Sequence, residues 1–272
     1  MVDPMVDQPV ASQPSDELAA LERQILADPH AVALRQAYAL AEGGWRGRFV
    51  RKQVELSDLQ RAGRKDGELL LECDRLLREH GAGWAGPIAA RVHEARFLRG
   101  FVEWIVIDAA AFVRDWRALY ALAPIRHADL VDAAPVAAEL AACEGLAQLR
   151  GLSFNLAGTR FGKTRLGSAG ARALAASPHL RKLRYLDLRY SDLDEGALAA
   201  IVATDALPRL EVGLLDGNAI RDLCEDVSTD WDGTVTDARP TQALYDFTQR
   251  HGDRPWLHPV EQRRRHVLRD EI

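Results

Sequence analysis

The chain is poor in the residues that build disulfide frameworks and zinc sites. Its three cysteines, Cys73, Cys143 and Cys224, are odd in number and far apart, and no C-x-x-C pair occurs. Small buried apolar roles in a reducing compartment are expected for them, so the protein is expected to be cytoplasmic. A basic excess is also missing. Lys and Arg total 35 against 40 Asp and Glu, a net charge of -5, which gives no bulk attraction to nucleic acid or to anionic membrane. No apolar run reaches membrane-spanning length, because the most apolar stretch, FVEWIVIDAAAFV, is interrupted by Glu103 and Asp108. MVDPMVDQPVASQPSDE has neither a basic start nor an apolar core, so a signal peptide is not expected and residues 1-14 read as a disordered tail. G-x-S-x-G is absent, and His93-Glu94 lacks the second histidine of a zinc-protease helix. Neither metal nor other cofactor is expected.

What the chain does have is a spaced leucine pattern. Leu180, Leu183, Leu186, Leu188 and Leu193, with Ser191 at the usual asparagine position, resemble the L-x-x-L-x-L-x-x-N-x-L unit of leucine-rich repeats. A second copy runs Leu207, Leu210, Gly213, Leu215, Asn218, closed by Ile220. An earlier one runs Leu146, Leu149, Leu152, Phe154, Ala157. The connecting segments 166–180 and 193–207 are both Ala-rich, as convex-side helices would be. The earlier copy carries an insertion of about seven residues near 158–165. Two degenerate copies precede these: Leu122, Ile125, Ala128, Leu130, Ala133, and Leu98, Phe101, Trp104, Val106, Ala109. The expected fold class is α/β, a helical cap packed on a short solenoid of parallel strands and convex-side helices. One such unit cannot bury its own apolar side, so neighbours must stack on it.

Upstream, amphipathic patterns predict helices from Ser15 to about Asp28, over roughly 30–42 and 46–62, and over 66–80 with a stop at His80-Gly81. DELAALERQILADP, GRFVRKQVELS, LLREHGAGWAGP and RFLRGFVEWIVIDAAAFVRDWRALYALAPIRH resemble the bacterial repeat-companion domain, which precedes leucine-rich repeats in high-GC bacteria. The resemblance covers about residues 15–135, and the repeats after it resemble the ribonuclease-inhibitor type. Family members carry an acidic-aromatic segment like YADWLEERGD where this chain has YALAEGGWRG, keeping Tyr38, Ala39, Leu40 and Glu42 in kind. The resemblance implies an interaction architecture and no chemistry. The expected division is a helical part at 15–97, a solenoid at 98–220 and a cap at 221–272. Leu223, Trp231, Leu244, Tyr245 and Phe247 are the packing candidates of the cap, and Arg263 to His266 read as a solvated helix face.

Two segments mimic ligand loops. Ala157 to Thr164 fits a relaxed phosphate-loop pattern, with Gly162, Lys163 and Thr164 as its nucleotide-binding residues and Asp187 as a stand-in for the second acid. The first loop position is Ala, however, and the match coincides with the repeat insertion. Asp226, Ser228, Asp230, Asp232 and Gly233 misplace the glycine of a calcium loop and put Asp237 where Glu belongs. Strand alternation leaves a better candidate. Positions between the anchors should face one concave surface: Glu103, Ile105, Ile107; His127, Asp129, Val131; Gly151, Ser153, Asn155; Tyr185, Asp187, Arg189; Val212, Leu214, Asp216. Tyr and Arg beside an acid is hot-spot composition. The expected function is non-catalytic binding of a protein or peptide through His127, Asp129, Ser153, Asn155, Tyr185, Asp187, Arg189 and Asp216. The alternatives are a nucleotide-dependent switch or enzyme using 157–164, and an accessory subunit escorting a partner enzyme.

Overall fold

The computed structural model describes residues 16–155, 165–229 and 235–258. It begins with α1 (Asp16–Ala27), α2 (Val32–Glu42), α3 (Gly44–Arg61) and α4 (Gly67–Ala85), each packed on the next. The boundaries follow the amphipathic pattern except at α4. That helix does not stop at His80-Gly81 but runs on to Ala85, ending where Gly86 turns to φ 55° ahead of Pro87. Its start is fixed by Asp66, whose Oδ1 accepts from the Leu69 amide at 2.9 Å.

Next comes a mixed sheet, mostly parallel. β1 (Glu94–Leu98) pairs antiparallel with β2 (Phe101–Asp108), turning through Arg99 and Gly100, both at positive φ. From β2 onward the sheet is parallel and its strands lie in chain order: β3 (His127–Val131), β4 (Gly151–Ser153), β5 (Tyr185–Asp187) and β6 (Val212–Leu214). Between them run α5 (Ala109–Leu122), α6 (Ala137–Ala141), α7 (Gly167–Ala175) and α8 (Glu195–Ala203). These helices pack side by side in that order. The main core lies between the two layers, where Leu130, Leu152 and Leu186 meet Phe112, Leu140, Leu174 and Leu198. Leu152, Leu186 and Gly213 stand abreast on neighbouring strands.

The first strand corrects the sequence reading. β2 pairs Trp104 with His127 and Ile105 with Ala128. Ile105 and Ile107 therefore join the core while Trp104 and Val106 take the opposite face, one residue out of the expected phase. FVEWIVID is buried along nearly its whole length, and a strand covered on both faces shows no alternation from which to read a phase.

Beyond β6 the chain forms a hairpin, β7 (Cys224–Thr229) with β8 (Val235–Pro240), then α9 (Gln242–His251) packed on α8. The sequence reading of 221–272 as a cap did not single out this hairpin. Leu223, Leu244 and Phe247 are buried as expected, whereas Tyr245 is exposed. Trp231, Asp230, Asp232, Gly233 and Arg263 to His266 lie outside the described residues. The packing residue missed from sequence is Trp256. A Cβ at Gly213 would lie 2.4 Å from its ring, so the glycine at a leucine position makes room for an indole from the chain's last described turn. Asn218, which the sequence pattern sets at the asparagine position of its unit, makes four bonds. Its Oδ1 accepts from the Ser191 and Leu193 amides at 3.0 and 3.1 Å, and its Nδ2 donates to the Leu188 and Leu215 carbonyls at 2.9 and 2.7 Å.

The N-terminal helices meet the sheet through a buried charge cluster. Glu103, which the sequence places on the concave face, is fully buried. Its Oε1 takes Arg35 Nη2 at 2.8 Å and Arg99 Nε at 3.2 Å. Its Oε2 takes Arg99 Nη2 at 2.5 Å and Arg126 Nη1 at 3.2 Å. Arg35 and Arg99 also both donate to the Pro29 carbonyl. Burial pulls Arg35 down to about 10 and Arg126 to about 9, against the attraction of Glu103.

Candidate functional site

The face of the sheet turned away from the helices carries the residues singled out from sequence, with the corrected first strand. Pairing places them in rows. One row runs Trp104, His127, Gly151, Tyr185, Val212, and the next runs Val106, Asp129, Ser153, Asp187, Leu214. His127, Asp129, Ser153, Tyr185 and Asp187 thus do come together. They are also buried, at 1% to 4% exposure, so they do not form the open surface that alternation alone suggests.

Their side chains are committed to one another. The His127 ring packs tilted against Trp104, 4.1 Å between ring centres, and lies 5.5 Å from Tyr185, spanning the bare backbone of Gly151. His127 Nε2 meets Asp129 Oδ1 at 3.1 Å, and the Tyr185 hydroxyl donates to Asp187 at 3.4 Å. Arg96 from β1 lies over Trp104, 4.7 Å from the ring centre.

The open part of the face is its rim at the carboxyl ends of β4 to β6, where Asn155, Arg189 and Asp216 are half-buried. Arg189 folds back on Asp187 in a two-pronged pair, Nε to Oδ1 at 3.0 Å and Nη2 to Oδ2 at 2.7 Å. Burial opposes the Arg189 charge, but Asp187, with Tyr185 and Asp216 adding to it, holds the guanidinium charged above its ordinary range. The carboxylate that could have posed as a magnesium-holding acid is therefore engaged with a cation.

Beside Arg189 stands a residue the repeat pattern does not single out. Tyr190 is 53% exposed yet held in the left-handed region at φ 56°, where a bulky residue is uncommon. Its amide donates to the Asp216 carbonyl at 3.0 Å. Its ring rests on Gly217, where an added Cβ would come within 2.2 Å. The signal was in the sequence as D-G at 216–217: a glycine at positive φ leaves a flat shelf for a neighbouring ring. The Asp216 carboxylate accepts from the Leu223 amide at 3.3 Å, tying the rim to the C-terminal segment.

Gly162, Lys163 and Thr164 lie outside the described residues. Among the described residues no group of three or more His, Cys, Asp and Glu is placed to hold a metal ion, and no helix is long and apolar enough to cross a membrane. Comparison of the chain with models of known protein families, with curated proteins and with solved structures gave no match.

Proposed function

We propose that the chain is a non-catalytic module that binds a protein or peptide in the bacterial cytoplasm. In this reading it is a leucine-rich-repeat-like solenoid of the ribonuclease-inhibitor type, behind a helical part of the repeat-companion kind. Support for the architecture comes from the order of β3 to β6, the alignment of Leu152, Leu186 and Gly213, and the four bonds of Asn218. The C-terminal hairpin, α9 and Trp256 then serve as the terminal cover that such a stack requires.

The observation that carries the binding role is an exposed Tyr190, seated on Gly217, directly after Arg189 in the chain. Tyrosine and arginine dominate interface hot spots, and a ring already fixed on Gly217 loses little entropy on docking. His127, Asp129 and Tyr185 act beneath this rim as a stiff floor rather than as contacts. The test is affinity capture from the native host with three proteins: the parent, Tyr190→Ala/Arg189→Ala, and a control with Leu71→Ala on the remote α4. The reading requires a partner recovered by parent and control and lost by the rim variant, with circular dichroism showing all three folded at the capture temperature. Equal recovery by all three would reject the rim as the contact surface.

A further inference from the structure

The opposite edge of the parallel sheet, where the strands begin, carries a stack of arginines. Each follows the apolar residue that opens a strand: Arg126 after Ile125, Arg150 after Leu149, Arg184 after Leu183. The sheet sets them one above another. The Arg126 carbonyl accepts from the amides of Arg150 and Gly151, that of Arg150 from Arg184 and Tyr185, and that of Arg184 from Glu211 and Val212. Neighbouring guanidiniums thus spring from backbones about one strand apart, roughly 4.8 Å. Arg209, exposed on the turn before β6, joins them. Arg150, Arg184, Pro208, Arg209, Leu210 and Glu211 line one cleft of about 480 Å³.

The charges in this cleft do not balance. Arg184 is neutralised by Glu211 in a two-pronged pair at 2.7 and 2.6 Å. Among the described residues, no carboxylate pairs with Arg150 or Arg209. Arg150 gives one Nη2 bond to His30 Nε2 at 3.0 Å, while its buried Nε has no partner. Because a guanidinium only donates, His30 is the acceptor and therefore neutral. Burial, then Arg184 and Arg209, pull Arg150 below the usual guanidinium range, with Glu211 opposing them. This concentration of positive charge sits on a chain whose net charge is -5.

We propose that this cleft binds a phosphoryl dianion, with Arg150 and Arg209 as its two charge partners and Arg184 as the neutralised wall between them. Two guanidiniums without a carboxylate partner match a group carrying close to two negative charges, and Arg150, which lines the cleft, keeps an Nε donor with no partner in the fold. A single carboxylate would leave one guanidinium unanswered. The site goes beyond the rim described above and stands without it, since it lies at the other end of the strands.

The experiment titrates the full chain by calorimetry, in physiological salt, with three probes. They are inorganic phosphate, an acetylated Gly-phosphoserine-Gly amide, and the same peptide unphosphorylated. Both phosphorylated probes are expected to bind, and the plain peptide to show no heat. Arg209→Gln, at an exposed position that leaves folding intact, and Arg150→Gln should each weaken binding by about tenfold or more. Tighter binding of the phosphopeptide assigns the group to a partner segment, and equal binding assigns it to free phosphate. Binding that survives both substitutions, or that fails for both phosphorylated probes, overturns the proposal. If rim variants lose their partner while phosphate still binds, this site stands and only the rim reading fails.

Discussion

Replacing Glu103 by Gln tests the cluster that fixes the helical part to the sheet. The change keeps the shape of the side chain and removes its charge, leaving Arg35, Arg99 and Arg126 without their common partner. The amide nitrogen must also face at least one guanidinium, donor against donor. Arg35 and Glu103 are fully buried, and removing one partner of a buried pair costs about 3–5 kcal/mol, because the surviving charge stays desolvated. At roughly 2–4 °C per kcal/mol the melting midpoint should fall by about 6–20 °C. Circular dichroism melts at neutral pH measure this directly. Asp115→Asn, which breaks the exposed Arg114–Asp115 pair, should leave the midpoint within experimental scatter. Limited proteolysis adds a spatial check, since the loss should loosen the Arg35 and Arg99 bonds to the Pro29 carbonyl and speed cleavage near residues 28–31. A Glu103→Gln midpoint within about 1 kcal/mol of the parent would place the cluster among solvent-screened pairs and refute the reasoning.

Asn218→Ala strands two amides and two carbonyls that the side chain now satisfies. Urea unfolding should show a loss of about 2–4 kcal/mol, and a loss under 1 kcal/mol would contradict the role given to this residue. Gly213→Ala drives a methyl into Trp256 and should cost about 1–3 kcal/mol. Adding Trp256→Ala should recover none of the lost stability, because the indole's buried area goes with it, yet the two changes should be strongly non-additive. His30 should make the fold acid-sensitive. Burial and then Arg126, Arg150 and Arg99 lower it from 6.5 to about 4. As pH falls from 6.5 towards 4 the unfolded chain takes up a proton that the folded chain refuses, so stability declines across that window. His30→Gln accepts the Arg150 bond without titrating. The parent should therefore lose more of its melting temperature than the variant between pH 7 and pH 5, and parallel losses would exclude the effect.

The later strands were legible because Leu146, Leu149 and Leu152 recur with the same spacing as Leu180, Leu183 and Leu186. The first strand was not, since FVEWIVID is apolar on both faces and a one-residue slip costs the pattern nothing. Which face Asp129, Tyr185 and Asp187 share was readable from period-two alternation. That they are buried was not, because packing of His127 between Trp104 and Tyr185 joins residues far apart in the chain. Tyr190 escaped notice for a related reason: its seat depends on Gly217, distant in the chain. Glu103 looked like a surface acid until Arg35 arrived from α2. The arginine stack lay in plain view in the sequence as Ile-Arg, Leu-Arg and Leu-Arg at strand starts. Only strand register shows that these residues stand one above another.

Hydrogen–deuterium exchange of the chain with and without its captured partner tests the binding role most directly. Slowed exchange is expected over residues 188–191 and 215–218, where Arg189, Tyr190 and the Gly217 shelf meet, with α3 and α4 unchanged. Protection confined to the helices of the N-terminal part, with the β5–β6 rim exchanging as in the free chain, would contradict the account.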